Sequence, residues 1–249
     1  MVTTRGSRHG LTARAGHVDV WATALDRDPA ALARLRECLA DDESARAARF
    51  HFERDARRFV VARAVLRDVL GAYLAVAPRD VNFVYGPRDK PALAPPLDAA
   101  GLQFNVSHSG EIALYAVTLH RPVGVDVEQL RALPDLAALA ERNFSAAERA
   151  ALQALPPAQR PLAFFACWTR KEAYVKALGD GLSHPLDAFT VSFAAGAPAR
   201  VVEIAGDAAG AARWTLAAID VGAGYEAAVA VDDPVTVAMR GFWEQPSGS

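Results

Sequence analysis

Val123-Gly124-Val125-Asp126-Val127-Glu128 alternates with period two, apolar at the odd positions and glycine or acidic at the even ones. Successive side chains of a strand point to opposite faces, so the three valines predict a core face. Gly124, Asp126 and Glu128 then share the other face. Two carboxylates ~7 Å apart on one strand face repel each other unless both are solvated or a cation lies between them. An exposed edge strand meets the first condition and a metal site the second. The strand alone leaves both open.

Downstream, Trp168-Thr-Arg-Lys-Glu-Ala-Tyr-Val-Lys176 falls in a helix predicted from about Leu162 to Leu178 and ended by Gly179 and Gly181. Glu172 and Lys176 lie one turn apart on it, which by itself reads as a surface ion pair worth ~0.3–0.5 kcal/mol. Ser145-Ala-Ala-Glu148 predicts a capping box opening the preceding helix, and that role accounts for Glu148. Strands and Gly- or Ala-rich turns are expected from Leu186 to about Val231, with residues 241–249 as a disordered tail.

Upstream, the segment from Arg46 to Arg67 carries seven arginines against Glu53 and Asp55. Phe59, Ala62, Leu66, Val69, Leu70 and Tyr73 recur at helical spacing, which predicts an amphipathic helix with a basic approach, stopping before Pro78. A turn at Gly86-Pro-Arg-Asp-Lys-Pro91 follows. Two strands, Gln103–Val106 and Ile112–Thr118, are then expected around a turn at Ser107-His108-Ser109-Gly110. Each half thus reads as a long helix, a Gly/Pro turn and strands.

With 249 residues, 52% hydrophobic and 22% charged, the chain has room for one large domain or two smaller ones. Alanine supplies 54 residues and is a weak signal here. No apolar run suffices to span a bilayer, and the first residues lack a signal-peptide core. Cys38 and Cys167 make neither a disulfide framework nor a zinc cluster. A cytoplasmic protein without membrane contact is the expectation. Residues 1–124 carry 17 Lys and Arg against 14 Asp and Glu, while residues 125–249 carry 10 against 15. The arginine-rich helix brings neither an aromatic platform nor a basic excess, so no nucleic-acid partner is expected. Only three of the 27 basic residues are lysine, Lys90, Lys171 and Lys176, which marks them as candidates for sites needing a compact ammonium.

Taken together, Asp126, Glu128 and Glu172 suggest a hard-metal site, with water and a substrate phosphate completing the shell of Mg²⁺. The basic half would hold the anion through Arg46, Arg88, Lys90 and the backbone N–H groups of a Ser107-His108 turn. His108 also reads as an ordinary turn histidine.

These residues carry a resemblance. Arg49-Phe50 with Asp55-Ala-Arg-Arg58, Asp89-Lys-Pro91, Phe104-Asn-Val-Ser-His-Ser109, Gly124-Val-Asp-Val-Glu128, Phe144-Ser145 with Glu148, and Trp168-Thr-Arg-Lys-Glu-Ala-Tyr-Val-Lys176 occur in one consistent order. The chain resembles the Sfp-type 4′-phosphopantetheinyl transferases. The resemblance implies an α+β fold of two similar, pseudo-twofold-related lobes, each a small sheet on a long helix, with the active site in the cleft between them. On this chain the lobes are expected at residues 1–122 and 123–240. It also implies Mg²⁺-dependent transfer of the phosphopantetheine arm from coenzyme A to a serine of an acyl or peptidyl carrier protein, releasing adenosine 3′,5′-bisphosphate. The short second half and the lack of sustained heptads predict a monomer. Asp126, Glu128 and Glu172 become the metal positions. Arg46, Arg88, Lys90, Asn105, Ser107 and His108 become coenzyme A contacts, and Lys176 the cation near the pyrophosphate. Glu172 is the favoured general base, with a water on the metal as the alternative. Where some relatives have a second basic residue before Arg46, this chain has Glu43. A Mg²⁺-dependent nucleotide phosphotransferase or pyrophosphatase fits the carboxylates but lacks a Gly-x-x-x-x-Gly-Lys loop. A non-catalytic coenzyme A-binding or carrier-binding module is opposed by the intact Asp126, Glu128, Glu172 and Lys176.

Overall fold

A computed structural model describes residues 11–86, 90–179 and 184–244. The first half runs β1 (His17–Ala24), α1 (Pro29–Arg36), α2 (Asp41–Ala47), α3 (Glu53–Leu74), β2 (Phe83–Tyr85), β3 (Pro91–Leu93), β4 (Leu102–Ser109) and β5 (Ile112–Leu119). The second runs β6 (Val123–Gln129), α4 (Leu136–Asn143), α5 (Ala146–Ala154), α6 (Arg160–Leu178), β7 (Phe189–Val191), β8 (Val201–Ile204), α7 (Ala208–Ala212), β9 (Thr215–Ala218), β10 (Tyr225–Val231) and β11 (Thr236–Phe242). Helices and strands are mixed as the α+β expectation requires. None of the helices described is long and apolar enough to cross a membrane.

Two sheets carry the structure, ordered β11-β1-β5-β4 and β6-β10-β9. Strand periodicity gives each sheet two apolar faces. Trp21, Phe104 and Tyr115 turn one face of the first sheet to Val65, Leu66 and Val69 of α3. Ala228 and Ala230 turn one face of the second to Tyr174, Val175 and Ala177 of α6. The remaining faces meet each other. Val18, Val20, Leu114 and Ala116 pack there with Val123, Val125, Val127 and Val229. The order of layers is helix, sheet, sheet, helix, and the valines of the opening motif lie in its dry middle. Burying each such side chain contributes about 1.5–3 kcal/mol.

Three expectations are corrected. The Arg46–Tyr73 segment is two helices, because α2 ends at Ala47 and α3 begins at Glu53; Arg46 sits in the last turn of α2. Ser107, His108 and Ser109 are strand rather than turn, paired with Leu114, Ala113 and Ile112 of β5. Ladder pairing therefore replaces the anion-binding turn expected there. The division at residue 240 also fails. β11 runs parallel to β1 in the first sheet, and Trp243, 1% exposed, donates its indole N–H to Asp68 of α3 (3.0 Å). Its ring meets Trp21 edge-on at 4.8 Å. Residues 241–244 are thus part of the N-terminal layer, and a buried tryptophan is the physical reason they are not a tail.

Candidate active site

Within the second half β6 crosses α6 closely, and Gly124 permits the crossing. A Cβ at that position would fall 2.0 Å from the Ala173 carbonyl oxygen and 2.4 Å from the Ala177 nitrogen. Only a residue without a side chain lets the strand lie on the helix backbone at that distance. Two residues further along β6, Asp126 then lies beside the last turns of α6.

Asp126 is 4% exposed. Its Oδ1 accepts from Lys176 Nζ (2.5 Å) and from Ser107 Oγ (2.8 Å), while Lys176 also donates to Ser107 Oγ (3.1 Å). Asp126 Oδ2 and Glu172 Oε1 are buried and hydrogen-bonded to nothing among the described residues. Burial raises the pKa of Asp126, opposed by the Lys176 ammonium. Burial raises that of Glu172 as well, opposed by Lys176 and reinforced by the charges of Asp126 and Glu128. The site therefore holds clustered negative charge in little water, with one ammonium to offset it. Glu128 is half-buried, and its Oε2 accepts from Ser109 Oγ and from Arg131 Nη1, both at 2.9 Å. Among the described residues no three acidic, histidine or cysteine side chains form a ready-made metal cage. Lys176 offsets the charge of both Asp126 and Glu172, and Glu128, held by Ser109 and Arg131, is near enough for its charge to act on both.

The other candidates are spread around this core. Lys90 Nζ donates to the Lys176 carbonyl at the C-terminal end of α6 (2.8 Å), and its pKa is lowered by burial and then by Lys176. His108 is also pushed down, by loss of water around the ring and then by Lys176. The Asn105 carboxamide oxygen accepts from the Val125 N–H of β6 (2.9 Å). The Arg46 guanidinium lies over the Phe59 ring, 5.5 Å from its centroid. Arg88 lies outside the described residues. A cleft of about 620 Å³ opens beside these groups, walled by Lys90, Gln103 and Phe104 on one side and by Ala177 and Gly179 on the other.

The lysine economy of the sequence has a structural counterpart. Lys90 and Lys176 meet at the end of α6, and Lys171, 0% exposed, pairs with Glu148 Oε2 (2.8 Å). Glu148 closes the capping box with the Ser145 N–H and also accepts from the Val191 N–H. Ser109 and Arg131 escaped the sequence reading, although the period-two placing of Asn105, Ser107 and Ser109 on β4 was a signal for the first.

Comparison with known proteins settles the family. Residues 26–120 match the family described as 4′-phosphopantetheinyl transferase, N-terminal, and residues 122–230 match the 4′-phosphopantetheinyl transferase superfamily. The 4′-phosphopantetheinyl transferase HetI of Nostoc sp. (strain PCC 7120) is 44% identical over 173 residues, 70% of this chain and 73% of its own. The chain belongs to the 4′-phosphopantetheinyl transferase family. It is accordingly an enzyme of the transferase class. The transferase Sfp of Bacillus subtilis (strain 168) is 30% identical over 158 residues, 64% of this chain and 68% of its own. The holo-[acyl-carrier-protein] synthase of Thermotoga maritima overlaps 45% of this transferase and 62% of its own chain, at TM-score 0.35 and 20% identity.

Proposed function

We propose that this transferase moves the 4′-phosphopantetheine arm of coenzyme A onto a serine of an acyl or peptidyl carrier protein, with Mg²⁺ held by Asp126, Glu172 and Glu128. The observation that carries the metal assignment is the pair of buried, unpartnered carboxylate oxygens, Asp126 Oδ2 and Glu172 Oε1. Buried acceptors without a donor are costly, and an oxygen-only set of this kind suits a hard divalent cation. Bound there, Mg²⁺ would neutralise charge on the pyrophosphate.

This chain's own groups account for the rest. The serine Oγ attacks the phosphorus bearing pantetheine, the bond from that phosphorus to the bridging oxygen breaks, and adenosine 3′,5′-bisphosphate leaves. Glu172 takes the serine proton through the carboxylate oxygen not given to the cation; burial makes this carboxylate a stronger base than an exposed glutamate. The Lys176 ammonium, aimed between Asp126 and Ser107, supplies a compact positive charge to the leaving phosphate. Lys90 lines the cleft that takes the nucleotide; His108 and Arg88 are further coenzyme A contacts in this reading, and Arg46 receives the 3′-phosphate. Glu43 does not oppose that phosphate. It is 2% exposed and neutralised by Arg67 (2.7 Å) and Arg63 (3.4 Å).

Incubating the protein with coenzyme A, Mg²⁺ and an apo carrier protein should add the mass of the phosphopantetheine arm to the carrier. A carrier that stays apo while coenzyme A is bound or hydrolysed would overturn the reading.

A further inference from the structure

Strands β4 and β6 run side by side, yet they belong to different sheets. Side chains of β4 take the place of ladder hydrogen bonds between them. Asn105 Oδ1 accepts from Val125 N, Ser107 Oγ donates to Asp126 Oδ1, and Ser109 Oγ donates to Glu128 Oε2 while accepting from Gln129 N. The last two contacts repeat one geometry. Serines two apart on one strand each hold a carboxylate, and those carboxylates are two apart on the next.

We propose that Ser109 is a positioning residue that aims Glu128 at the cation. The proposal rests on the metal assignment above and adds to it a hydroxyl acting through a carboxylate. A serine has one O–H to donate. The Gln129 N–H, at 3.0 Å, occupies an acceptor lobe of Ser109 and so directs that O–H toward Glu128. Both contacts to Glu128, from Ser109 and from Arg131, fall on Oε2, so neither takes Oε1, the oxygen this proposal gives to the cation. Of the two holders, the Arg131 side chain is 54% exposed and its ion pair is open to salt, so Ser109 sets the orientation.

Partners that orient a metal-ligating group typically change metal affinity by about 10- to 100-fold when removed. Mn²⁺ binding measured by calorimetry without coenzyme A should therefore weaken by roughly that factor in Ser109→Ala. Ser109→Thr, which restores the hydroxyl, should restore the affinity. The Mg²⁺ concentration for half-maximal transfer should rise in parallel, with the rate at saturating Mg²⁺ near that of the unaltered protein. Arg131→Ala should shift Mn²⁺ affinity less than Ser109→Ala does. Unchanged Mn²⁺ affinity in Ser109→Ala, or a loss that threonine does not recover, overturns the proposal. Should the alanine variant fail to fold, Ser109→Cys, a weaker donor of similar size, is expected to weaken binding in the same direction, and wild-type affinity there overturns it equally. If the unaltered protein binds Mn²⁺ and the serine series behaves as described while no carrier is labelled, the transfer reading fails and the positioning role stands. Carrier labelling with no effect of Ser109 on Mn²⁺ gives the reverse.

Discussion

Helix α6 carries two lysine–carboxylate pairs, and they are built to opposite ends. Lys171 and Glu148 are 0% and 1% exposed, and their polar atoms are thoroughly engaged. Lys171 donates to the Leu186 and Phe189 carbonyls as well as to Glu148, with its ammonium 4.1 Å from the Phe189 ring centroid. Glu148 accepts from Lys171, Ser145 N and Val191 N. Just over a turn away, Lys176 and Asp126 make a comparably close contact, but Asp126 Oδ2 and the neighbouring Glu172 Oε1 accept nothing. The Lys171–Glu148 pair, which serves the fold, is completed from within. A pair that serves chemistry keeps unsatisfied oxygens for a ligand to complete.

Removing one partner tests the closed pair most severely. Glu148→Ala leaves a buried ammonium without its counter-ion, and such losses cost about 3–5 kcal/mol. Denaturant unfolding should show a lower midpoint at unchanged slope, with the unfolding free energy reduced by that amount. Exchanging both residues, Glu148→Leu with Lys171→Met, should recover much of the stability because neither charge then remains buried. A double variant as unstable as the single would mean that the capping contacts to Ser145 and Val191, rather than the ion pair, carry the effect.

The open pair should answer in activity rather than stability. Lys176→Met removes a preorganised charge from the phosphate site, and losses of about 10²–10³-fold in turnover are typical of such a group. The same change should tighten Mn²⁺ binding in the absence of coenzyme A, because the ammonium no longer occupies Asp126 Oδ1. Weaker Mn²⁺ binding in that variant would show that Lys176 supports the cation site instead of filling it.

How much of this was legible in the sequence differs residue by residue. The valines of β6 were readable because one face of a strand is a local property, and Ser145 with Glu148 was readable because a capping box spans one turn. Ser109 sits at the end of β4 that reads from sequence as a turn, because two serines, a histidine and a glycine in a row carry turn propensity and the pairing with β5 overrides it. The return of β11 to the first sheet depends on Trp243 meeting Trp21 and Asp68, contacts across most of the chain that no local pattern encodes. Lys171 was singled out by residue count alone. Its partner is 23 positions away, in a different helix.

Gly124 links the two pairs, since it sets how closely β6 lies on α6. Gly124→Ala would force its Cβ against the Ala173 carbonyl, and overpacking of that kind costs about 1–3 kcal/mol. The strand must move off the helix, carrying Asp126 away from Lys176, while Lys171 and Glu148 face the opposite side of α6 and keep their contacts. Transfer activity should therefore fall further than the loss of folded protein explains, measured at a temperature where the variant remains folded. Activity that tracks stability alone would show that the spacing of β6 and α6 has slack.

The mildest expected effect lies at the far edge of the open site. Arg46 rests on the Phe59 ring, which supports the face of the guanidinium and leaves its N–H edge for an anion. Its acidic neighbour Glu43 is turned inward to Arg63 and Arg67, so no carboxylate competes for that edge. Arg46→Ala should leave stability within about 0.5 kcal/mol, as expected for a partly exposed side chain outside the core. It should raise the KM for coenzyme A about tenfold, the loss expected for a hydrogen bond to a charged group. Dephospho-coenzyme A, which lacks the 3′-phosphate, should show almost no change between the two proteins. Equal losses for both donors would move the 3′-phosphate away from Arg46 and toward His108, whose ring already lies within the field of Lys176.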